Sequence, residues 1–209
     1  MIEPSHTIWN LFLAFIPVVL SGLIAGLYWS MPQLRKRWWV WAPLGLLWLG
    51  FLPNTAYLLT EWRHFIEYIV KYPVNVRAAA HDRGALLSFL ALATFYVVYS
   101  GCGLLSFSMS IWPIEQLIKP GRLAKTVFFY LCAMGVYLGL VQRLNTWDIV
   151  YHPKLVLRLA IAAVSNPMLL LLTIGFAAIL WLNYWVFAVF VDGLKLRFRQ
   201  MKRGDAPAG

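Results

Sequence analysis

The sequence predicts an all-α fold: a polytopic bundle of about five transmembrane helices, with one or two amphipathic helices lying in the membrane interface. Of 209 residues, 61% are hydrophobic and 12% are charged, whereas a soluble domain carries about 25% charged residues. Apolar runs of roughly twenty residues, the length that crosses a hydrocarbon core of about 30 Å, recur along the chain. Little is left between them, so residues 1–194 read as one transmembrane domain and 195–209 as a basic cytoplasmic tail.

The first run, Ile8 to Trp29, has no Lys or Arg before it and no clean small-residue cleavage site. A cleavable signal needs a positive leading region, so this run reads as a retained span. The others are Trp38 to Leu59, Gly84 to Phe107, Thr126 to Gln142, which is short, and Met168 to Val191. Leu155 to Ser165 is apolar but too short to cross and contains Arg158, which suits an interfacial or re-entrant helix. Ser165-Asn166-Pro167 then supplies a capping side chain and a proline for the first turn of the last span. After Glu61, the residues Trp62, Phe65, Ile66, Ile69 and Val70 recur at helical spacing. Glu61, His64, Glu67, Tyr68 and Lys71 occupy the other side, the pattern of an interfacial amphipathic helix.

Lys and Arg set the direction of insertion. Arg35, Lys36, Arg37, Lys119, Arg122, Lys125 and the tail residues Lys195, Arg197, Arg199, Lys202 and Arg203 fall on one side. Arg63, Lys71, Arg77, Arg83, Arg143, Lys154 and Arg158 fall on the other. Eleven against seven places the chain in an inner or plasma membrane with its N-terminus outside and its C-terminus in the cytoplasm. The formal charge of +10 is spread over short loops and the tail. That distribution speaks for anionic lipids at the tail and against nucleic acid.

In lipid there is little hydrophobic drive between helices, so small residues mark close contacts. Gly22 and Gly26 share a face of the first span, Gly135 and Gly139 a face of the fourth, and Ser100-Gly101-Cys102-Gly103 thins the third. Cys102 and Cys132 read as small packing residues, with no metal or disulfide spacing. Pro17 and Pro53 each free a carbonyl four residues back, at Leu13 and Leu49. Asn54 is suited either to repairing the second of these or to touching a ligand.

The second and fourth spans deliver polar ends to the same outer surface, where Asn10 also lies. Asn10, Asn54, Thr60, Glu61, His64, Arg143, Asn145, Trp147 and Asp148 can share one vestibule there. LPNTAYLLTEWRH and GVYLGLVQRLNTWD, with the opening WNLFLAFIP, resemble an uncharacterised family of bacterial multi-pass membrane proteins. Its members carry similar Pro-Asn-x-x-Tyr, Thr-acid-x-x-His and Tyr-Leu-Gly…Arg-x-Asn-x-Trp-Asp patterns. The chain departs at Glu61, where the family pattern has Asp, and around His81-Asp82, where it has an aromatic before the acid. The resemblance implies a membrane bundle and assigns no reaction.

Read from the residues alone, Glu61, His64 and Asp148 are the catalytic candidates, and the same three with His152 are the candidate ligands of a divalent metal. The competing reading is a solvated loop with a Glu–His hydrogen bond. Asn10, Asn54, Thr60, Arg143, Asn145 and Trp147 are the binding candidates, with Arg143 either snorkelling to the headgroups or clamping an anion, and Trp147 anchoring the interface. No cofactor is strongly implied, although a divalent metal has a set of ligands. The interiors of the predicted spans carry no Asp, Glu, Lys, Arg or His, which counts against an ion-coupled carrier. Two functions compete: binding of a lipid or a membrane-protein partner at the outer face, and an enzyme acting on a lipid or lipid-linked substrate.

Overall fold

The architecture comes from a computed structural model that describes residues 4–142, 144 and 148–204. It is all helical among these residues. Helix α1 (Pro4–Ser30) leads through a short 3-10 turn (Pro32–Leu34) into α2 (Trp38–Tyr57). A second 3-10 turn (Leu58–Glu61) then feeds α3 (Trp62–Lys71), α4 (Pro73–Ala78) and α5 (Arg83–Ile118). The chain closes with α6 (Arg122–Leu140), α7 (Asp148–Tyr151), α8 (Pro153–Ser165) and α9 (Pro167–Gly204).

Four helical stretches are long and apolar enough to cross a membrane: Ser5–Ser30, Trp38–Lys71, Arg83–Ile118 and Pro167–Lys202. The chain is therefore a membrane protein. The expected fourth span corresponds to α6, which has 19 residues, begins with Arg122 and Lys125 in its first turn, and stands apart from these four.

Local signals set the helix boundaries. Asp82 caps α5 by accepting from Ala85 N at 2.7 Å. The helix ends where Lys119 turns left-handed at φ 49° ahead of Pro120-Gly121. At 36 residues α5 is about 54 Å long, running eleven residues past the predicted end at Phe107. Asn166 caps α9 as its sequence suggests, accepting from Met168 N at 3.0 Å and Leu169 N at 3.3 Å. Helix α9 continues unbroken through residues 195–204.

Helix α1 packs on α2 and α5, and α6 packs on α9 and α2. The core holds Trp48, Leu52, Ala56, Phe107, Ile111, Phe129, Leu180 and Tyr184. Ser110 ties three helices at this level: Trp48 Nε1 donates to its Oγ at 2.7 Å, and the Oγ donates to Pro17 O at 3.1 Å. Near α9, Asn183 Nδ2 donates to Leu104 O at 3.1 Å and Ser108 Oγ at 2.9 Å. Asn183, set in the aromatic run WLNYW, thus acts as an interhelical clasp while Trp181 and Trp185 beside it stay exposed. At the end of the bundle holding the Arg35–Arg37 loop, Glu115 accepts from both Lys125 and Tyr184, and Lys195 Nζ lies 4.5 Å from the Trp112 ring centroid.

Small residues act at two of the three expected places. A Cβ on Gly103 would lie 2.6 Å from Thr55 O and 2.7 Å from Leu58 Cβ, and one on Gly135 would lie 3.0 Å from Pro53 Cγ. Gly22 and Gly26 have nothing within 4 Å, so the expectation of a close contact there is corrected: that face of α1 points away from the bundle. Cys132 is buried but Cys102 is exposed, so Cys102 is not the packing residue it resembled. Nor does Asn54 repair Leu49. Its Nδ2 donates to Phe51 O at 3.1 Å, a carbonyl three residues back that a helical side chain reaches more easily.

The glycine contacts give a paired expectation. Gly103→Ala destabilises the protein by about 1–3 kcal/mol, because backbone and a core side chain must move, whereas Gly22→Ala stays within about 0.5 kcal/mol. Unfolding in mixed detergent micelles measures both, and equal stability of the two variants would contradict the close approach.

Candidate functional site

Between the start of α1, the end of α2, the amphipathic α3 and the first half of α5 lies a cavity of about 780 Å³. Helix α1 contributes His6, Thr7 and Asn10; the end of α2 and its 3-10 turn contribute Tyr57 and Glu61. Helix α3 adds His64, Glu67, Tyr68 and Lys71, followed by Tyr72, and α5 adds Leu92, Phe95, Tyr96 and Tyr99. Tyr99 is sixteen residues into α5, about 24 Å along its axis. The cavity thus runs from the end of the bundle toward its middle.

The local fold follows from the chain's composition. Where α5 presents Gly103, helix α2 passes into the turn Leu58–Glu61 with Leu58 fully buried against it. Thr60 spends its hydroxyl on Tyr57 O at 2.6 Å within this turn. Phe65 then pins α3 to α5, with ring centroids 5.5 Å from Tyr96, 5.7 Å from Phe89 and 5.3 Å from Trp62. The expected amphipathic helix is thus present, with Phe65 buried and Ile66 and Val70 exposed.

Glu61 is the sheltered carboxylate, its side chain 18% exposed against 59% for Glu67. His64 stands between them, Nε2 at 3.6 Å from Glu61 Oε2 and Nδ1 at 3.3 Å from Glu67 Oε2. The shorter contact is the hydrogen bond; the longer is electrostatic proximity. Arg63 Nε lies 3.4 Å from Glu67 Oε1. Lys71 Nζ lies 5.6 Å from the Tyr72 ring centroid, within cation–π range.

Of the residues the sequence singles out, the cavity unites Asn10, Glu61 and His64. Thr60 serves the turn instead. Asn54 lines a second, more apolar cavity of about 210 Å³ bounded by Leu13, Pro53, Gly135, Gly139 and Val156. Tyr57 borders both cavities. Asp148 opens α7 and His152 precedes α8; neither lines the larger cavity. Among the described residues no three His, Cys, Asp or Glu side chains gather as metal ligands. Arg143, Asn145 and Trp147 lie outside the described residues.

Sequence reasoning missed Tyr57, Tyr96 and Tyr99 as walls of the site. The signal was present: Leu92, Phe95, Tyr96 and Tyr99 share one face at helical spacing, and two of them are phenols in an otherwise apolar run. It missed the Glu115–Lys125 pair too. These residues flank the Lys119-Pro120-Gly121 reversal, and such a reversal brings positions on either side of it face to face.

A family described as "Protein of unknown function (DUF1361)" matches residues 9–182. No curated protein and no solved structure matches the chain.

Phe65→Ala should release α3 from α5. The amides of residues 62–71 then exchange at least about tenfold faster while those of α6 are unchanged, read by hydrogen–deuterium exchange in detergent. Unaltered exchange in α3 would show that Phe65 does not hold it.

Proposed function

The chain belongs to the family of proteins of unknown function DUF1361, and we propose that it is a multi-pass inner-membrane protein that binds a lipid headgroup at its extracytoplasmic end. One observation supports this reading above the others: a tyrosine-walled cavity that also holds Glu61, His64, Glu67 and Lys71 opens at one end of an apolar bundle. Water-soluble groups can enter there while the rest of a ligand stays in the bilayer. The exposed Ile66 and Val70 on α3 suit an interfacial position beside that mouth.

Charge supports the orientation. The eleven-cation side includes the Arg35–Arg37 loop, the Lys119–Lys125 hairpin and the C-terminal end of α9, and the positive-inside rule assigns these to the cytoplasm. Helix α6 serves as a fifth span in this reading, kept in the bundle by the buried Cys132, Ala133, Met134 and Val136. Five crossings put the N-terminus outside with the cavity. The basic end of α9 meets anionic lipid on the inner side.

A second reading has its own observation. His64 hydrogen-bonded to Glu67, with Glu61 adjacent, is a base with an orienting carboxylate, so a bound lipid can also be a substrate. Loss of turnover in His64→Ala with lipid binding retained would select that reading.

Two measurements test the proposal. In native mass spectrometry the protein released from membranes retains one phospholipid, and retention of none would sink the headgroup reading. A cysteine at position 64 reacts with impermeant maleimide in intact cells, while one at position 199 reacts only after permeabilisation. Labelling of both from the same side would overturn the orientation.

A further inference from the structure

Resting on the headgroup reading of the cavity, we propose that its ligand carries an ammonium group, as ethanolamine- and choline-type phospholipid headgroups do. Two observations point there. First, two carboxylates line the cavity, Glu61 and Glu67, and Glu67 is already met by Arg63 at 3.4 Å and His64 at 3.3 Å, which leaves Glu61 as the carboxylate open to a ligand. A bare phosphate beside Glu61 meets like charge, whereas a cation there meets attraction. Glu61 is the more sheltered of the two. Among the described residues its ion-pair partner is His64 at 3.6 Å, too far for a hydrogen bond, so its oxygens keep acceptor capacity.

Second, the walls are phenol rings: Tyr57, Tyr68, Tyr72, Tyr96 and Tyr99. Ring faces carry negative charge density and bind ammonium groups, which is how aromatic cages recognise quaternary amines. One of these rings already does so, since Lys71 Nζ lies 5.6 Å from the Tyr72 centroid. A neutral sugar would use the rings and the acceptors but has no use for the carboxylate of Glu61 as a counter-charge. A zwitterionic headgroup uses all three features: its ammonium takes Glu61 and the rings, and its phosphate suits the exposed Lys71.

The test titrates full-length protein in detergent with dihexanoyl phosphatidylethanolamine, dihexanoyl phosphatidylglycerol and free ethanolamine. The readout is tryptophan emission, to which Trp62, 6.1 Å from the Tyr96 ring, reports from beside the cavity. The ethanolamine lipid is expected to bind at least about tenfold tighter than the glycerol lipid, and Glu61→Gln to erase most of that preference. Glu67→Gln serves as the second variant should the first fail to fold. Equal or tighter binding of the glycerol lipid overturns the ammonium assignment and leaves the headgroup reading standing. Binding of neither lipid nor free amine overturns both. Free ethanolamine matching its lipid upholds the ammonium assignment but moves the source from the bilayer to solution.

Discussion

The close approach of α5 to the end of α2 at Gly103 is the constraint on which the site depends. With hydrogen in place of a side chain, Thr55 O and Leu58 come to a distance that a Cβ would forbid. That lets α2 tighten into the 3-10 turn Leu58–Glu61, bury Leu58 completely, and send Glu61 toward the space between α1 and α5. Were α5 held further out, α3 would start elsewhere and Glu61 would not share a cavity with Asn10 and Tyr99. A similar contact, Gly135 on the Pro53 ring, seats α6 against α2 one turn away from the same site.

Close packing of this kind replaces the drive that water supplies to a soluble core. Lipid is as apolar as leucine, so helices adhere through fit and through hydrogen bonds that would otherwise go unmade. Ser110 joins α1, α2 and α5; Asn183 joins α5 and α9; Glu115 joins α5, α6 and α9. These ties lie in the middle and at the cation-rich end of the bundle. The opposite end, freed from that duty, can leave its carboxylates and imidazoles around an open cavity.

Much of the fold was legible in the sequence because length and hydropathy are direct consequences of the bilayer. The five apolar runs correspond to α1, α2, α5, α6 and α9, and Asn166 caps α9 as its place before Pro167 suggests. The ends of α5 and α9 were less legible, since a helix does not stop where its apolar run stops. Helix α5 carries on through Pro113 to Glu115, whose charge is met by residues 10 and 69 positions away. Within the site, Glu61 and His64 were readable from their spacing of three. Of the tyrosine walls the sequence carried only the shared helical face of Tyr96 and Tyr99 with Leu92 and Phe95, because a phenol in an apolar run looks the same whether it faces lipid or a cavity. The glycines divide the same way: Gly103 and Gly22 are equally small, and only the neighbouring helix gives one of them a contact.

The proposed amphipathic ligand would set its polar atoms in the tyrosine cavity and its chains among the exposed apolar side chains of α3 and α1. The most direct measurement replaces Leu92, which lines the cavity without carrying a charge, with a photoreactive benzoylphenylalanine. The protein is then illuminated in native membranes and its adducts are sequenced by tandem mass spectrometry. The account predicts attachment to the headgroup atoms of a phospholipid. Attachment to acyl chains alone would contradict it, because position 92 would then face the lipid interior rather than a chamber that holds a headgroup.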